Sequence, residues 1–209
     1  HAFCDGRLKV HPRTKDRSIV SGNESYPCAG IHMVLSEHSG RTQTSDEEVK
    51  VINSFYGDLL RRQFKNVDID NNTQSLESIS EDDILVVTPY NAQEVKLRST
   101  LPDDSKIGTV DRFQGQEEAV ALISMVTSTS EDMPRNMDFL YSRNRLNVAL
   151  SRAKCLSVIV LNPKLLDAPC RTVEQIKLVN TFCWLKEYSD SLLSDTGHKA
   201  GVPVAVESD

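Results

Sequence analysis

The sequence predicts an α/β fold, a mainly parallel sheet covered by helices on both faces. Three observations predict it. Apolar, β-branched runs of strand length recur along the chain (Ile31–Leu35, Ile84–Thr88, Ala119–Val126, Leu156–Leu161). They are mostly apolar rather than alternating, as in strands buried on both faces. Between them lie segments of helical periodicity, and strands alternating with helices build parallel sheets.

Taken in order, residues 1–30 are polar and irregular, punctuated by Pro12, Gly22, Pro27 and Gly30. After the first strand, Ser45-Asp-Glu-Glu supplies an N-cap and first-turn acids for a helix to about Phe64. Val49, Ile52, Phe55, Tyr56, Leu59 and Leu60 form its core face. Residues 66–82, rich in Asn, Asp, Ser and Glu, read as a solvated loop. The strand 84–88 stops at Pro89, a helix runs from Asn91 to about Leu101, and Lys106–Val110 is a further short strand. A polar turn, Asp111 to Glu118, leads into the strand 119–126, and residues 127–138 form a loop. A helix over 143–154 then runs into the strand 156–161, and a helix from about Thr172 to Tyr188 closes the fold. This organisation makes 1–188 one domain and 189–209 a tail with little to bury.

Composition narrows the function classes. A chain of 209 residues, 39% hydrophobic and 26% charged, can bury a full core. No stretch is long and apolar enough for a membrane span, and the first residues lack the apolar run expected of a signal peptide. His1 in place of an initiator Met suggests a piece of a longer protein. The five cysteines are scattered without a CxxC pair, so neither a disulfide framework nor a metal site is expected, and a reducing, cytoplasmic setting fits. A net charge of −6 argues against a wholly basic nucleic-acid coat. Yet Arg135, Arg143, Arg145, Arg152 and Lys154 stand within twenty residues against only Asp138, a positive island suited to an anion.

Two stretches carry candidate chemistry. In a helix over 143–154, Arg145 and Arg152 lie seven residues apart and share a face, with Leu146, Leu150 and Ala153 beside them for packing. A guanidinium there offers planar donors to phosphate oxygens; the alternative is a surface helix with solvated arginines. In Thr109–Glu118, Gly115 permits a backbone geometry closed to other residues. Gln114 and Gln116 donate and accept, Glu117 accepts from a ribose hydroxyl or an arginine, and Thr109 and Asp111 suit a nucleic-acid backbone. The alternative is a tight inter-strand turn. In parallel sheets ligands bind beyond the carboxyl ends of strands, so these residues and Thr88-Pro-Tyr-Asn are expected along one edge. No nucleophile, general base or metal cluster stands out, and His11, His32 and His38 read as surface residues.

Three strings together resemble motifs IV, V and VI of superfamily 1 helicases, in the branch of the nonsense-mediated-decay RNA helicase and senataxin. They are Val86-Val-Thr-Pro-Tyr-Asn-Ala-Gln93, Thr109-Val-Asp-Arg-Phe-Gln-Gly-Gln-Glu117 and Asn144-Arg-Leu-Asn-Val-Ala-Leu-Ser-Arg-Ala153. The wording of 125–185, including Asp138-Phe-Leu-Tyr-Ser142 and Cys170-Arg-Thr-Val-Glu-Gln175, is similar to bacterial proteins that fuse a RecB-like nuclease to such a helicase. Phe3-Cys-Asp-Gly-Arg-Leu8 resembles the segment that follows the first motor domain.

The resemblance implies a RecA-like three-layer α/β/α domain of the P-loop NTPase type, the second of two motor domains. It implies Arg152 as an arginine finger at the γ-phosphate, with Arg145 and Asn147 supporting it. It further implies Glu117, Gly115 and Gln114 near the nucleotide, and Thr88, Gln93, Thr109 and Asp111 toward nucleic acid. Glu94 stands where relatives carry an Arg. The sequence contains no GxxxxGK[ST] phosphate loop and no Walker-B-like acidic pair. ATP and Mg²⁺ are therefore expected to bind mainly to a first RecA-like domain, with single-stranded DNA or RNA as the other partner and 5′ to 3′ movement. A motor-free interaction module and a phosphometabolite-binding domain are the alternative readings.

Overall fold

A computed structural model describes residues 12–20, 26–68, 71–113, 115–133, 140 and 142–196. A five-stranded, wholly parallel sheet organises it: β2 (Gly30–Leu35), β8 (Ala153–Leu161), β7 (Glu118–Ser124), β5 (Ile84–Thr88) and β6 (Lys106–Thr109), in that spatial order. The central strands are buried on both sides, which is why their sequences are mostly apolar, with buried exceptions such as Ser124 and Ser157.

Alternate residues feed two cores. Val86, Leu122, Val158 and Val160 pack with α1 (Asp46–Leu59) and with Leu97 of α2 (Asn91–Arg98). Leu85, Val87, Ile159 and Leu161 pack with Leu146 and Ala149 of α3 (Arg143–Leu150) and with Val179, Phe182 and Leu185 of α4 (Val173–Thr196). The result is a RecA-like α/β/α domain, as the sequence predicts.

Several expectations are corrected. The stretch read as a solvated loop holds a hairpin, β3 (Gln63–Asp68) and β4 (Thr73–Ser78), paired antiparallel. With β1 (Ser18–Val20) it makes a second, three-stranded sheet, and Ile19 and Phe64 bring that sheet into the α1-side core. Phe64 is therefore a strand residue, and α1 ends at Leu59. The last helix continues beyond Tyr188 to Thr196, with Leu193 buried, so the stretch from 189 expected as a tail begins inside a packed helix.

The histidines also differ. His32 is fully buried beside the Tyr26 and Phe55 rings, and His38 is buried in a polar network; His11 lies outside the described residues.

One buried polar cluster anchors α1 from below. Tyr26 donates to Asp58 Oδ2 at 2.6 Å, and Arg62 Nη2 donates to Oδ1 at 2.7 Å. Burial pushes the Asp58 carboxyl up, but these hydrogen bonds outweigh it and hold it below its ordinary value. Removing the hydroxyl in Tyr26→Phe is expected to lower stability by about 1–3 kcal/mol near neutral pH. Because a depressed carboxylate contributes stability above its unfolded pKa and loses it as pH falls through the folded one, the deficit should shrink in acid. Denaturant melts of both proteins across acid pH check this.

The Cys155 thiol, pushed up to about 12 by burial, should resist iodoacetamide at pH 8 in the native protein and react on unfolding. Mass mapping of the alkylated peptide reads the difference.

Candidate nucleic-acid and nucleotide site

Strand order places the polar motifs at two levels. The carboxyl ends of β5 and β6 bring Thr88 and Thr109 side by side, since these residues are paired in register. Around them opens a cleft of about 380 Å³, lined by Thr88, Tyr90, Asn91, Thr109, Asp111 and Arg145 among others. Thr88 is fully buried at its floor, and its hydroxyl has no hydrogen-bond partner among the described residues. Arg145 projects from the first turn of α3, whose N-cap Ser142 accepts from the Arg145 backbone N–H. Its guanidinium reaches Asp111 Oδ2 at 3.3 Å. Asp111 is exposed and Arg145 half-exposed, so the pair contributes little to stability. It is a cation at a cleft mouth.

Arg152 is elsewhere. α3 ends at Leu150, and β8 begins at Ala153, so Arg152 occupies the turn between them and not the helix. The propensity of Ser-Arg-Ala-Lys would allow the helix to continue. Pairing of Ala153 with Glu118 takes the backbone into the sheet instead, and Arg152 C=O accepts from Glu118 N–H at 2.9 Å. Arg152 therefore stands at the amino ends of β7 and β8, across the sheet from the cleft. This corrects the shared helix face and the single edge expected for the two arginines.

The half-buried Arg152 guanidinium is held by backbone. Nε donates to Val148 C=O at 3.0 Å, and Nη1 to Gln116 C=O at 3.0 Å and to Phe113 C=O at 3.4 Å. Nη2 donates to Ser151 Oγ at 3.1 Å. Gly115 beside it has φ +87°, with open space where a side chain would stand, so the turn demands glycine for its backbone angle. Gln116 and Glu117 are exposed there, Asn147 is half-buried on α3, and Gln114 lies outside the described residues.

Gln93 takes a different place from that expected. Gln93 is fully buried: it accepts from Ser45 N–H at 2.9 Å and donates to Ser45 C=O and Ser124 Oγ. Its amide ties α2 to the N-cap of α1 and to β7 and reaches no surface. Glu94, on the next position of α2, accepts from Arg98 at 3.0 Å and from Arg112 Nη1 at 2.9 Å, tying the helix to the segment after β6. Sequence reasoning passed over Arg112; its exposed position in a polar turn gave no signal of this partner.

Among the described residues no group of three or more His, Cys, Asp or Glu is arranged to hold a metal ion, and no helix is long and apolar enough to cross a membrane.

Comparisons with known proteins show the family. Residues 1–164 match the family described as an AAA domain. The MOV-10 protein of Gallus gallus is 30% identical over 191 residues, covering 79% of this chain and 19% of that protein. DNA polymerase alpha-associated DNA helicase A of Saccharomyces cerevisiae is 31% identical over 184 residues, covering 80% and 26%. RNA helicase Mov10l1 of Homo sapiens is 41% identical over 100 residues, covering 44% and 8%. The chain thus spans about a quarter or less of the length of these relatives. With the match over residues 1–164 and the parallel RecA-like sheet beneath it, the chain belongs to the AAA domain family and is a domain of the superfamily 1 helicase type.

Proposed function

We propose that this chain is the second RecA-like motor domain of an ATP-dependent superfamily 1 helicase that moves along single-stranded DNA or RNA. The observation that carries it is the two-level placement of the arginines, Arg145 at the carboxyl-end cleft and Arg152 at the amino ends, joined by α3 and by the segment 110–117.

In this reading the cleft takes the sugar-phosphate backbone. Thr109 and the Arg145 guanidinium supply neutral and charged donors there, above the buried Thr88 hydroxyl, which has no hydrogen-bond partner among the described residues. Arg152, with Glu117 and Gly115 beside it, faces the γ-phosphate of ATP bound by a first RecA-like domain. The chain's residues fit only this outer side of a nucleotide: they offer cationic donors but none of the phosphate-loop groups that hold Mg²⁺ and the β-phosphate.

The chemistry asked of Arg152 is charge stabilisation in the transition state. Its present acceptors are neutral carbonyls, and an anionic phosphate oxygen binds a guanidinium more strongly. A phosphate would draw Arg152 from Phe113 and Gln116, freeing the segment that leads back to Asp111 and Thr109. Nucleotide state and strand grip would thus compete for one side chain. The 5′ to 3′ polarity, the decay-helicase branch and an upstream nuclease extend this reading from the motif wording alone.

Two measurements test it. ATP hydrolysis by the full-length protein should be stimulated by single strands and should fall about 10³-fold or more in Arg152→Ala, with ATP binding retained. Turnover indifferent to the substitution would remove the finger. In the same variant, amide hydrogen exchange over residues 113–118 should quicken as Phe113 and Gln116 lose their shared donor, while α1 stays protected.

A further inference from the structure

Behind the cleft lies a buried polar network that the proposed chemistry does not use. Its centre is Glu48, fully buried on the first turn of α1. Glu48 Oε2 accepts from Ser124 Oγ at 2.6 Å and from Val126 N–H at 2.9 Å, and Oε1 lies 3.1 Å from His38 Nε2. His38 Nδ1 meets Ser128 Oγ at 2.7 Å, and Ser128 Oγ accepts from Arg41 N–H at 2.9 Å. Ser124 Oγ in turn accepts from Gln93 Nε2 at 3.1 Å. A carboxylate removed from water is costly unless fully hydrogen-bonded, and three donors converge on this one.

The network holds a strained turn. Val126 has φ +73°, a conformation that a β-branched residue rarely adopts. Thr127 N–H donates to Met125 C=O at 2.9 Å across it, closing a γ-turn of the rare positive-φ kind. Such strain persists only where surrounding contacts enforce it, and the Glu48 carboxylate receives the Val126 N–H.

Several of the anchored residues adjoin the cleft lining. Met125 lines the cleft between Ser124 and Val126, Ala92 lines it beside Gln93, and Gln43 lies two residues before Ser45. Tyr90, also in the lining, meets Thr127 Oγ1 through its hydroxyl at 3.3 Å.

We propose that Glu48 is the positioning residue of the strand-binding cleft: by holding Val126 in its strained turn, it fixes the wall formed by Met125, Tyr90 and Gln43. The inference rests on the cleft being the single-strand site.

The test uses the full-length protein and fluorescein-labelled oligothymidylate and oligouridylate, at a temperature where circular dichroism shows every variant folded. Glu48→Gln keeps the side-chain shape but removes the charge that holds Val126 N–H. Strand affinity should weaken about 10-fold while affinity for an ATP analogue is unchanged. Glycine adopts positive φ without penalty, so adding Val126→Gly to Glu48→Gln should restore strand affinity to within about threefold. A generally loosened core would lower melting temperature without that rescue of binding. Unchanged affinity in Glu48→Gln, or a loss that Val126→Gly does not repair, overturns the inference. Arg145→Ala serves as the control: it should weaken strand binding by itself, and if it and Glu48→Gln both leave binding intact, the cleft reading falls as well.

Discussion

The connection between β6 and β7 is the constraint on which the site depends. Both strands are parallel, so the chain leaving Thr109 at the carboxyl edge must return to Glu118 at the amino edge, passing β5 on the way. Parallel crossovers ordinarily take a dozen or more residues and contain a helix. Residues 110–117 reach roughly 28 Å at full extension, against a strand rise of about 3.3 Å per residue, so there is room only for a short 3-10 turn at Val110–Phe113. Within the segment Gln116 N–H donates to Phe113 C=O at 3.1 Å. Arg152 adds a second donor to Phe113 C=O and supplies one to Gln116 C=O, and the residue at the heart of the proposed chemistry is thereby also a brace of the crossover.

The same geometry explains why Gly108 and Gly115 bracket the segment. A Cβ at Gly108 would stand 2.7 Å from Arg112 Cδ, since the Arg112 stem runs over β6 toward Glu94. Gly115 supplies the positive φ that turns the chain toward β7. One glycine admits a side chain from elsewhere, and the other bends the backbone. Between them the segment is clamped from both flanks, by Glu94 of α2 through Arg112 and by Arg152 from the head of β8.

The layered fold was legible in the sequence because its strands are buried on both faces, and burial of that kind writes itself as runs such as Ile84–Thr88 and Leu156–Leu161. The hairpin was not. β3 buries Phe64 and Val67, three residues apart rather than two, and β4 buries nothing, so neither strand carries an alternating signature. The cleft residues Thr88, Thr109, Asp111 and Arg145 were legible as polar residues at strand exits. The position of Arg152 was not, because the end of α3 is set by pairing with Glu118, a tertiary contact that local propensity does not encode. His38 and Glu48 were hidden for a related reason: an acid in the first turn of a helix reads as a solvated capping residue, and nothing local says that this one turns inward to meet a histidine ten positions earlier.

The two buried acids of α1 sharpen that point. Asp58, near the helix end, takes Tyr26 and Arg62, and Glu48, near its start, takes His38, Ser124 and Val126. Both are costly groups in a core that hydrophobic residues could fill, and both are fully engaged. Their partners come from different elements, so each fixes relative position where apolar packing alone would tolerate sliding. At the Asp58 end none of Tyr26, Asp58 and Arg62 lines the cleft, and the consequence is stability. At the Glu48 end they are the carboxyl ends of the strands, where the sheet opens into its cleft, and rigidity there sets the shape that a strand would meet.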